Sequence, residues 1–312
     1  MSLRVVFFGN QQSVFTSRHF QALRKTNTKL VAVVDAPGHR RSTSNPLPPG
    51  YDNFVEIAAA QDAPLFSPDN LGDQSLVAEL AGLDPDVFLA VGYPLILKPS
   101  LLSVPRRLAV NFHASLLPDY RGRHPVFWAL RAGERWSGLT VHVMDPGVDT
   151  GDILYQVRLR TRKDDSVASL YDRIMDRSEA LVGRLIADLE RDELRPQPQP
   201  PGDGSCFSSI KEEDYLLDWR WPAEKLRRYV ATTPGKCYVG LQGQRIHIIN
   251  ADTIAASEQA SPGTILWLGR TRAGVAAGEG AISSSRVRVG RKNLVLAQLC
   301  RALELAPGDS LR

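Results

Sequence analysis

The chain has 312 residues, of which 43% are hydrophobic and 23% are charged, and its formal net charge is +4. This composition is typical of a soluble globular protein. The sequence lacks the run of about 20 apolar residues that a membrane-spanning helix requires. The N-terminal apolar run is too short for a signal peptide, and the cysteines Cys206, Cys237 and Cys300 are too far apart for a disulfide framework or a zinc site, so we expect a cytoplasmic protein without a metal.

In the first third of the chain, short apolar runs alternate with segments of helical spacing. "LRVVFFG", "KLVAVVD", "PDVFLAVGY" and "RLAVNFHAS" are typical of strands buried on both faces, and "SRHFQALRK" and "FVEIAAAQD" are typical of helices. The alternation predicts the α/β class, with an open, mostly parallel Rossmann-like sheet and helices on both faces. Ligands bind such sheets beyond the carboxyl ends of the strands.

A long surface loop is expected at residues 36–53, which are rich in Pro, Ser and Gly. Arg40 and Arg41 in this loop either contact a phosphate or nucleic acid or are simply solvated. Farther along, "GLTVHVMD" (138–145) alternates as a strand does, and residues 169–190 have the spacing of one amphipathic helix.

The last third of the chain predicts a linker followed by a second domain. Residues 195–206 are rich in Pro and Gly, as in an extended connector. After the short helix "WPAEKLRRYVAT", six short runs, from "CYVGL" through "RIHIINADTI", "VAAGEGAI" and "RVRVG" to "NLVLAQL", predict a small OB-like β domain. We therefore expect a first domain at 1–194, the linker at 195–206 and a C-terminal domain at 207–312.

Positive charge is concentrated in this C-terminal domain. Residues 207–312 contain 15 Lys and Arg against 10 Asp and Glu, a net charge of +5, so the residues before them carry −1. Such an excess attracts anionic partners, from a nucleotide phosphate to RNA. An ordinary solvated surface explains it equally well.

Two polar side chains end the strand "RLAVNFHAS". Residues i and i+2 of a strand point the same way, so Asn111 and His113 project together at a carboxyl end of the predicted sheet. An amide beside an imidazole can bind the oxygen of a carbonyl under attack, and the imidazole can carry protons near neutral pH. A lone pair of this kind more often caps the end of a strand.

A second candidate element follows the strand "GLTVHVMD". The loop "PGVDTGDIL" places Asp149 and Asp152 close to Asp145, and a carboxylate there could orient His113 or receive a proton from an incoming nucleophile. An Asp in a loop with Gly and Pro is by itself usually a turn former. Asn, His and Asp at two neighbouring loops together indicate an acyl-transfer site.

The two segments together resemble a known family. "NFHASLLPDYRG" followed by "GLTVHVMDPGVDTGDIL" is similar to the paired signature of the formyltransferases that use 10-formyltetrahydrofolate, in the usual order and at about the usual distance. "PDVFLAVGYPLIL" fits the N-terminal domain of that family, and "EEDYLLDWRWPAEKLRRYVATTPG" resembles the start of its C-terminal domain. The resemblance therefore covers nearly the whole chain.

The resemblance implies a reaction and the residues for it. Asn111, His113 and Asp149 would be the catalytic residues, and an amine would attack the formyl carbon that N10-formyltetrahydrofolate carries. Asn111 and protonated His113 would stabilise the negative charge on the formyl oxygen, and Asp149 would hold His113 and help to remove the proton of the amine. The residues that correspond to the folate site of the family are Ala90, Val91, Gly92, Tyr93, Asp145, Gly147 and Val148.

The identity of the amine depends on a short stretch after the first motif. The branch that acts on methionyl-tRNA usually continues with an aromatic residue and Arg-Gly-Ala-Ala-Pro, whereas this chain reads "YRGRHP". This difference favours the branch that formylates amino sugars on anionic nucleotide carriers or other small amines, with Arg121, Arg123 and His124 as substrate-binding residues. The basic C-terminal domain favours tRNA instead.

Three further interpretations remain open at this point. The chain could be a methionyl-tRNA formyltransferase, or a formyltetrahydrofolate hydrolase in which water replaces the amine, or a binding protein for folate or RNA without catalysis.

His142 lies in the strand "GLTVHVMD" near the site, where a packed or surface-facing role is expected more than a catalytic one.

Overall fold

The computed structural model of the chain describes residues 2–38, 54–200, 202, 204–255 and 260–311. Most of the predicted loop 36–53, including Arg40 and Arg41, lies outside these residues. The chain divides into two compact units, a first unit of residues 1–126, 136–160 and 168–208 and a second unit of residues 127–135, 161–167 and 209–312. None of the helices in the described ranges is long and apolar enough to cross a membrane.

Up to the end of the Pro- and Gly-rich segment, strands and helices alternate. In chain order they are β1 (Arg4–Gly9), α1 (Val14–Arg24), β2 (Lys29–Asp35), α2 (Phe54–Ala60), β3 (Leu65–Phe66), α3 (Gln74–Gly82), β4 (Val87–Val91), α4 (Pro99–Leu102), β5 (Leu108–His113), β6 (Arg121–Gly122), α5 (Pro125–Ala132), β7 (Trp136–Val143), β8 (Ile153–Arg160), α6 (Val167–Ser178), α7 (Ala180–Glu190) and β9 (Cys206–Phe207).

Seven of these strands form one sheet, in the order β3-β2-β1-β4-β5-β7-β8. The pairs from β3 to β5 are parallel, and β7 and β8 are added antiparallel at one side. Strand order reverses between β1 and β4, which is where ligands bind such sheets. The prediction of an open, mostly parallel sheet is confirmed.

Helices cover both faces of this sheet because successive residues of β1 point in opposite directions. The ring of Phe7 packs against Phe20 of α1 and Phe54 of α2. Phe8 belongs to the opposite cluster, with Leu80 of α3 and Leu101 of α4. All six side chains are at most 1% exposed, so β1 is buried on both faces, as its continuous apolar run indicates.

One buried histidine makes the stability of the first unit depend on pH. His19 on α1 is fully buried; its Nδ1 lies 2.7 Å from the carbonyl oxygen of Phe15, and its Nε2 lies 2.9 Å from Oγ of Ser178. Because the carbonyl can only accept, Nδ1 carries the hydrogen of the neutral ring and Ser178 donates to Nε2. Burial lowers the pKa of His19 from 6.5 to about 4.

We expect the free energy of unfolding to decrease by about 2 kcal/mol between pH 7 and pH 5 because of this group alone. The unfolded chain binds a proton on His19 below pH 6.5, whereas the folded chain does so only near pH 4, so stability is full above pH 6.5 and is lost as the pH falls. Urea unfolding of the wild type and of His19→Gln at both pH values measures the effect. An equal decrease in both proteins would contradict it.

Two predictions for the first unit differ from the structure. Residues 169–190 form two helices, α6 and α7, which are separated at Glu179. The apolar spacing continues across this break because both helices bury Leu and Ile residues, among them Ile174 and Leu185. The stretch after "YRGRH" forms helix α5, and strand β8 begins at Ile153, directly after the Asp-containing loop. Neither element was predicted from the sequence.

The second unit is built from short strands. After a 3-10 helix (Glu212–Tyr215) come α8 (Ala223–Thr232), β10 (Tyr238–Leu241), β11 (Gln244–Ile248), β12 (Asp252–Ile254), β13 (Ile265–Leu268), β14 (Ala273–Ala276), β15 (Ala281–Ser284), β16 (Arg286–Val289), β17 (Lys292–Val295) and α9 (Leu296–Ala302). They form two four-stranded antiparallel sheets, β10-β11-β16-β17 and β12-β15-β14-β13. The prediction of a small β domain is confirmed.

The strand bounds of the second unit differ from those predicted. "VAAGEGAI" is a hairpin rather than one strand: β14 and β15 are joined by a turn in which Gly280 has a φ of +71°, a conformation that favours glycine. "RIHIINADTI" is divided between β11 and β12, which lie in different sheets. "NLVLAQL" changes from β17 to α9 after Val295.

Two segments before residue 194 belong to the second unit. Arg131 of the segment 127–135 lies with its guanidinium 4.4 Å from the ring centre of Phe127 and 4.1 Å from that of Tyr229, and it donates to the carbonyl oxygen of Asp214. Arg227 of α8 donates to the carbonyl oxygen of Lys163 across 2.9 Å. The domain bounds expected from the sequence, 1–194 and 207–312, place these segments in the first domain, because the contacts that join them to the second unit are distant in the chain.

Candidate active site

Asn111 and His113 lie at the carboxyl end of β5, as predicted. Strand β5 is paired with β4 on one side and with β7 on the other. The loop that follows β7 carries Asp149 to the same place. Nδ2 of Asn111 donates to Oδ1 of Asp149 across 3.2 Å, and Nδ1 of His113 lies 3.6 Å from Oδ2 of the same carboxylate. The structure therefore brings together the three side chains that the sequence analysis singled out.

His142 is a fourth member of this cluster. It is the direct cross-strand neighbour of Asn111 in the β5–β7 pair. Its Nε2 lies 3.2 Å from Nδ2 of Asn111 and 3.4 Å from Oδ1 of Asp149, and the residue is 2% exposed. A packed or surface-facing residue was expected here. The polar contacts of His142 were not expected, because the sequence does not show that β7 runs antiparallel beside β5.

Backbone contacts determine which nitrogen of each imidazole carries a hydrogen. Nδ1 of His142 lies 2.8 Å from the carbonyl oxygen of Val143, and Nε2 of His113 lies 2.8 Å from that of Tyr120. A carbonyl can only accept, so both of these nitrogens are donors. In the neutral rings, Nε2 of His142 then accepts from the amide of Asn111, and Nδ1 of His113 presents a lone pair toward Asp149.

Asp149 and His113 differ in their charge at neutral pH. Burial by itself raises the pKa of Asp149, but protonated His113, the neighbouring ring of His142 and the N–H of Gly122 favour the carboxylate, outweigh burial and hold this pKa far below its ordinary value. Burial lowers the pKa of His113 and outweighs the opposing effects of Asp149 and the Tyr120 carbonyl. At neutral pH an ionised carboxylate therefore faces a neutral imidazole, which can accept a proton.

The loop that carries Asp149 is shaped by its own residues. The carboxylate of Asp145 accepts from Oγ1 of Thr150 at 2.7 and 2.8 Å and from the N–H of Gly147 at 3.1 Å. A Cβ on Gly147 would lie 1.9 Å from Oγ1 of Thr150, so a larger residue here would displace the hydroxyl that bonds to Asp145. Asp149 has a φ of +54°, in the left-handed region that Asp enters more readily than most residues.

A cavity of about 590 Å³ lies beside these residues, at the carboxyl ends of β4, β5 and β7. The predicted site residues that line it are Ala90, Gly92, Tyr93, Asn111, His113, Arg123, His124, Asp145, Gly147, Val148 and Asp149. The cavity is also lined by residues that were not among the predicted site residues, for example Phe15, Ile96 and Tyr171. These come from α1, the segment after β4 and α6.

Two predicted site residues do not line the cavity. Val91 is fully buried, and its carbonyl oxygen accepts from Oγ1 of Thr16 across 2.8 Å. The guanidinium of Arg121 donates to Oε1 of Gln199 across 2.6 Å. Among the described residues, no group of three or more His, Cys, Asp and Glu side chains has the arrangement of a metal site.

The described part of the predicted linker is hydrogen-bonded to the rest of the first unit beside the site. We call residues 195–200, 202 and 204–208 the strap. Gln197 exchanges two backbone hydrogen bonds with Ile153, at 2.7 and 2.9 Å, and β9 pairs in parallel with β6. Gly122 has a φ of +85°, and a Cβ there would lie 2.3 Å from the carbonyl oxygen of Phe207, so this approach requires glycine.

Comparison with known proteins identifies the family of the chain. Residues 3–186 match the family model "Formyl transferase", and residues 209–303 match "Formyl transferase, C-terminal domain". A relative from Pseudomonas paraeruginosa (strain DSM 24068 / PA7), described as "Methionyl-tRNA formyltransferase", is 35% identical over 99% of this chain and 99% of its own length.

Solved structures show the same fold at lower identity. The N-formyltransferase from Helicobacter canadensis in complex with folinic acid and dTDP-3-aminofucose has a TM-score of 0.70 and 16% identity, over 92% of this chain and all of that one. HypX from Aquifex aeolicus in complex with tetrahydrofolic acid has a TM-score of 0.59 and 18% identity over 96% of this chain, which spans only 47% of the HypX chain. With both domain models matched and the polar cluster assembled, the chain belongs to the formyl transferase family and is a formyltransferase.

Proposed function

We propose that the protein transfers the formyl group of N10-formyltetrahydrofolate to the amino group of methionyl-tRNA. The observation that carries this choice of acceptor is the Pseudomonas paraeruginosa relative, whose similarity extends through the C-terminal domain to 99% of both chains. The net charge of +5 in residues 207–312 suits a polyanionic acceptor. The acceptor is therefore the alternative of the sequence analysis rather than the amino sugar it favoured.

The cavity fits the formyl donor. When bound, N10-formyltetrahydrofolate supplies a formyl carbon that an amine can attack. The cavity is lined by Ile96 and Val148, which are 55% and 38% exposed and offer apolar surface to an aromatic ring system. The hydroxyl of Tyr93 is buried without a hydrogen-bond partner among the described residues, and burial and the charge of Asp35 raise its pKa, so it remains a donor for a ligand.

Asn111 is the residue placed to stabilise charge on the formyl oxygen. Both hydrogens of its amide have acceptors in the structure, Asp149 and His142. A formyl oxygen in the cavity would exchange with one of these acceptors and receive the hydrogen bond instead. One donor aimed at developing negative charge typically lowers a barrier by about 3–4 kcal/mol.

His113 and Asp149 are placed to take the proton of the attacking amine. Nδ1 of neutral His113 is the free basic position of the pair, and this nitrogen lies 3.6 Å from Oδ2 of the ionised Asp149, which would stabilise a proton added there. From the sequence, protonated His113 was expected to stabilise the negative charge on the formyl oxygen. The structure supports an order in which the neutral ring accepts the proton first and acts as a cation afterwards.

An amino-sugar nucleotide remains the second candidate acceptor. Arg123 and His124 stand where the methionyl-tRNA branch usually has two alanines, and both line the cavity. A cationic side chain at this place suits the phosphates of a nucleotide-linked sugar. The Helicobacter canadensis structure supports only the fold at its level of identity.

We expect formyl-methionyl-tRNA to form when the protein is given N10-formyltetrahydrofolate and charged methionyl-tRNA, and we expect release of tetrahydrofolate to require the amine. Parallel reactions contain a dTDP-amino sugar, uncharged tRNA as the matched control, or water alone. Formylation of the sugar but not the tRNA would reverse the choice of acceptor. Release without any amine would indicate a hydrolase.

A further inference from the structure

The side chain of Gln199, in the strap, holds the backbone on both sides of Thr150. Its Nε2 donates to the carbonyl oxygen of Asp149 across 2.7 Å and to that of Gly151 across 2.9 Å. Both hydrogens of the amide are used in this way. A single side chain thus joins two turns of the loop that carries the carboxylate.

The orientation of this amide is fixed from its other end. Nη2 of Arg121, on β6, donates to Oε1 of Gln199 across 2.6 Å. Arginine has only donors, so the oxygen of the amide must face Arg121 and the nitrogen must face the loop. Arg121 was expected to bind substrate; the geometry gives it this orienting contact instead.

The loop needs such support because the position of Asp149 is demanding. Its backbone has a φ of +54°, and its carboxylate must meet Asn111, His113 and the N–H of Gly122 at once. A displacement of the order of 1 Å in a catalytic group can cost about 10²-fold in rate. The backbone pairing of Gln197 with Ile153 sets the register that places Gln199 at the loop.

We propose that Gln199 is a positioning residue for formyl transfer, which acts by holding the backbone of Asp149 so that its carboxylate meets His113 and Asn111. This inference rests on the proposed function, because it takes Asp149 to be the carboxylate of the reaction. The strap then contributes to the active site as well as connecting to the second unit of the chain.

The chain provides a matched control two residues away. Gln197 is also a glutamine of the strap, but its side chain is exposed, and within the described ranges its Nε2 donates only to the carbonyl oxygen of Arg195, at 3.5 Å. Its role in the register is carried by the backbone, which a substitution to Met preserves. Gln199→Met and Gln197→Met therefore make the same chemical change, and only the first removes the contacts to Asp149 and Gly151.

We expect Gln199→Met to lower kcat at least tenfold, with KM for both substrates within about threefold of the wild type, while the protein remains folded under the assay conditions. Gln197→Met should retain the wild-type kcat. Hydrogen exchange of the peptide 145–152 should become faster in Gln199→Met alone, which tests the clamp without any substrate.

A double-mutant cycle with Asp149→Asn tests whether Gln199 acts through Asp149. If it does, Gln199→Met lowers kcat far less in the Asp149→Asn protein than in the wild type. An equal factor in both backgrounds, or equal kcat and equal exchange in the two Met variants, would overturn the proposal while wild-type formyl transfer stands. Wild-type protein that does not consume N10-formyltetrahydrofolate with any amine would overturn the proposed function and this inference together.

Discussion

We expect replacement of Asp149 by Asn to lower the turnover of formyl transfer by roughly 10³-fold, and replacement of His113 by Ala to do the same, while both variants remain folded. The carboxylate of Asp149 is the ionised group that faces Nδ1 of His113. Asn at position 149 keeps the size of the side chain but removes the charge that stabilises a protonated His113. The expected loss is in kcat, measured as release of tetrahydrofolate in the presence of the amine.

Asp152 provides the matched control for this experiment. It lies three residues farther along the same loop and is exposed to solvent. Asp152→Asn should retain turnover within about twofold of the wild type, because an exposed charge interacts weakly with the site. Far-ultraviolet circular dichroism and urea unfolding establish that each variant is folded. Near-normal turnover of both Asp149→Asn and His113→Ala would refute the assignment of the catalytic residues.

We expect replacement of Gly138 by Ala to destabilise the protein by about 3 kcal/mol or more. Gly138 is buried in β7, and a Cβ there would lie 1.9 Å from the carbonyl oxygen of Val157 in the neighbouring strand. The obstructing atom belongs to the backbone of β8, so no side-chain rotation can relieve the contact. The two strands must separate or shift, which weakens the side of the sheet that presents His142.

Gly183→Ala is the opposite control. Gly183 lies in α7, is exposed, and has nothing within 4 Å of the position of a Cβ. Ala at such a helical position stabilises a protein by about 0.5–1 kcal/mol, because it restricts the unfolded chain. Urea unfolding at neutral pH measures both variants. Equal stabilities for the two Ala variants would contradict the steric argument.

The sequence was most informative where a pattern is local. Continuous apolar runs around Phe7 and Phe88 indicated strands buried on both faces, and the structure places both side chains in the interior at 0% exposure. The spacing of Asn111 and His113 put both at one strand end, which is a property of any strand. The boundaries of β14 and β15 were missed because a short run that contains Gly, such as "VAAGEGAI", can form either one strand or two strands joined by a turn.

His142 and Gln199 mark the limit of this local reasoning. His142 belongs to the cluster because β7 is antiparallel to β5 and in register with it, which brings residue 142 opposite Asn111. Gln199 reaches Asp149 because the strap pairs with β8 and β6. Neither pairing can be predicted from the spacing of residues along the chain, because the partner of a strand depends on how the whole sheet assembles.

The sequence by itself determined the class of fold, the small β domain at the end of the chain, and three polar residues whose motifs resemble a formyltransferase. Periodicity and motif order carry this information because they depend on neighbours in the chain. Only the tertiary structure decided that two segments before residue 194 join the second unit, that Arg121 faces the strap rather than the cavity, and that His142 completes the polar cluster. These depend on contacts between residues tens of positions apart, which form only when the sheet assembles and buries its strands.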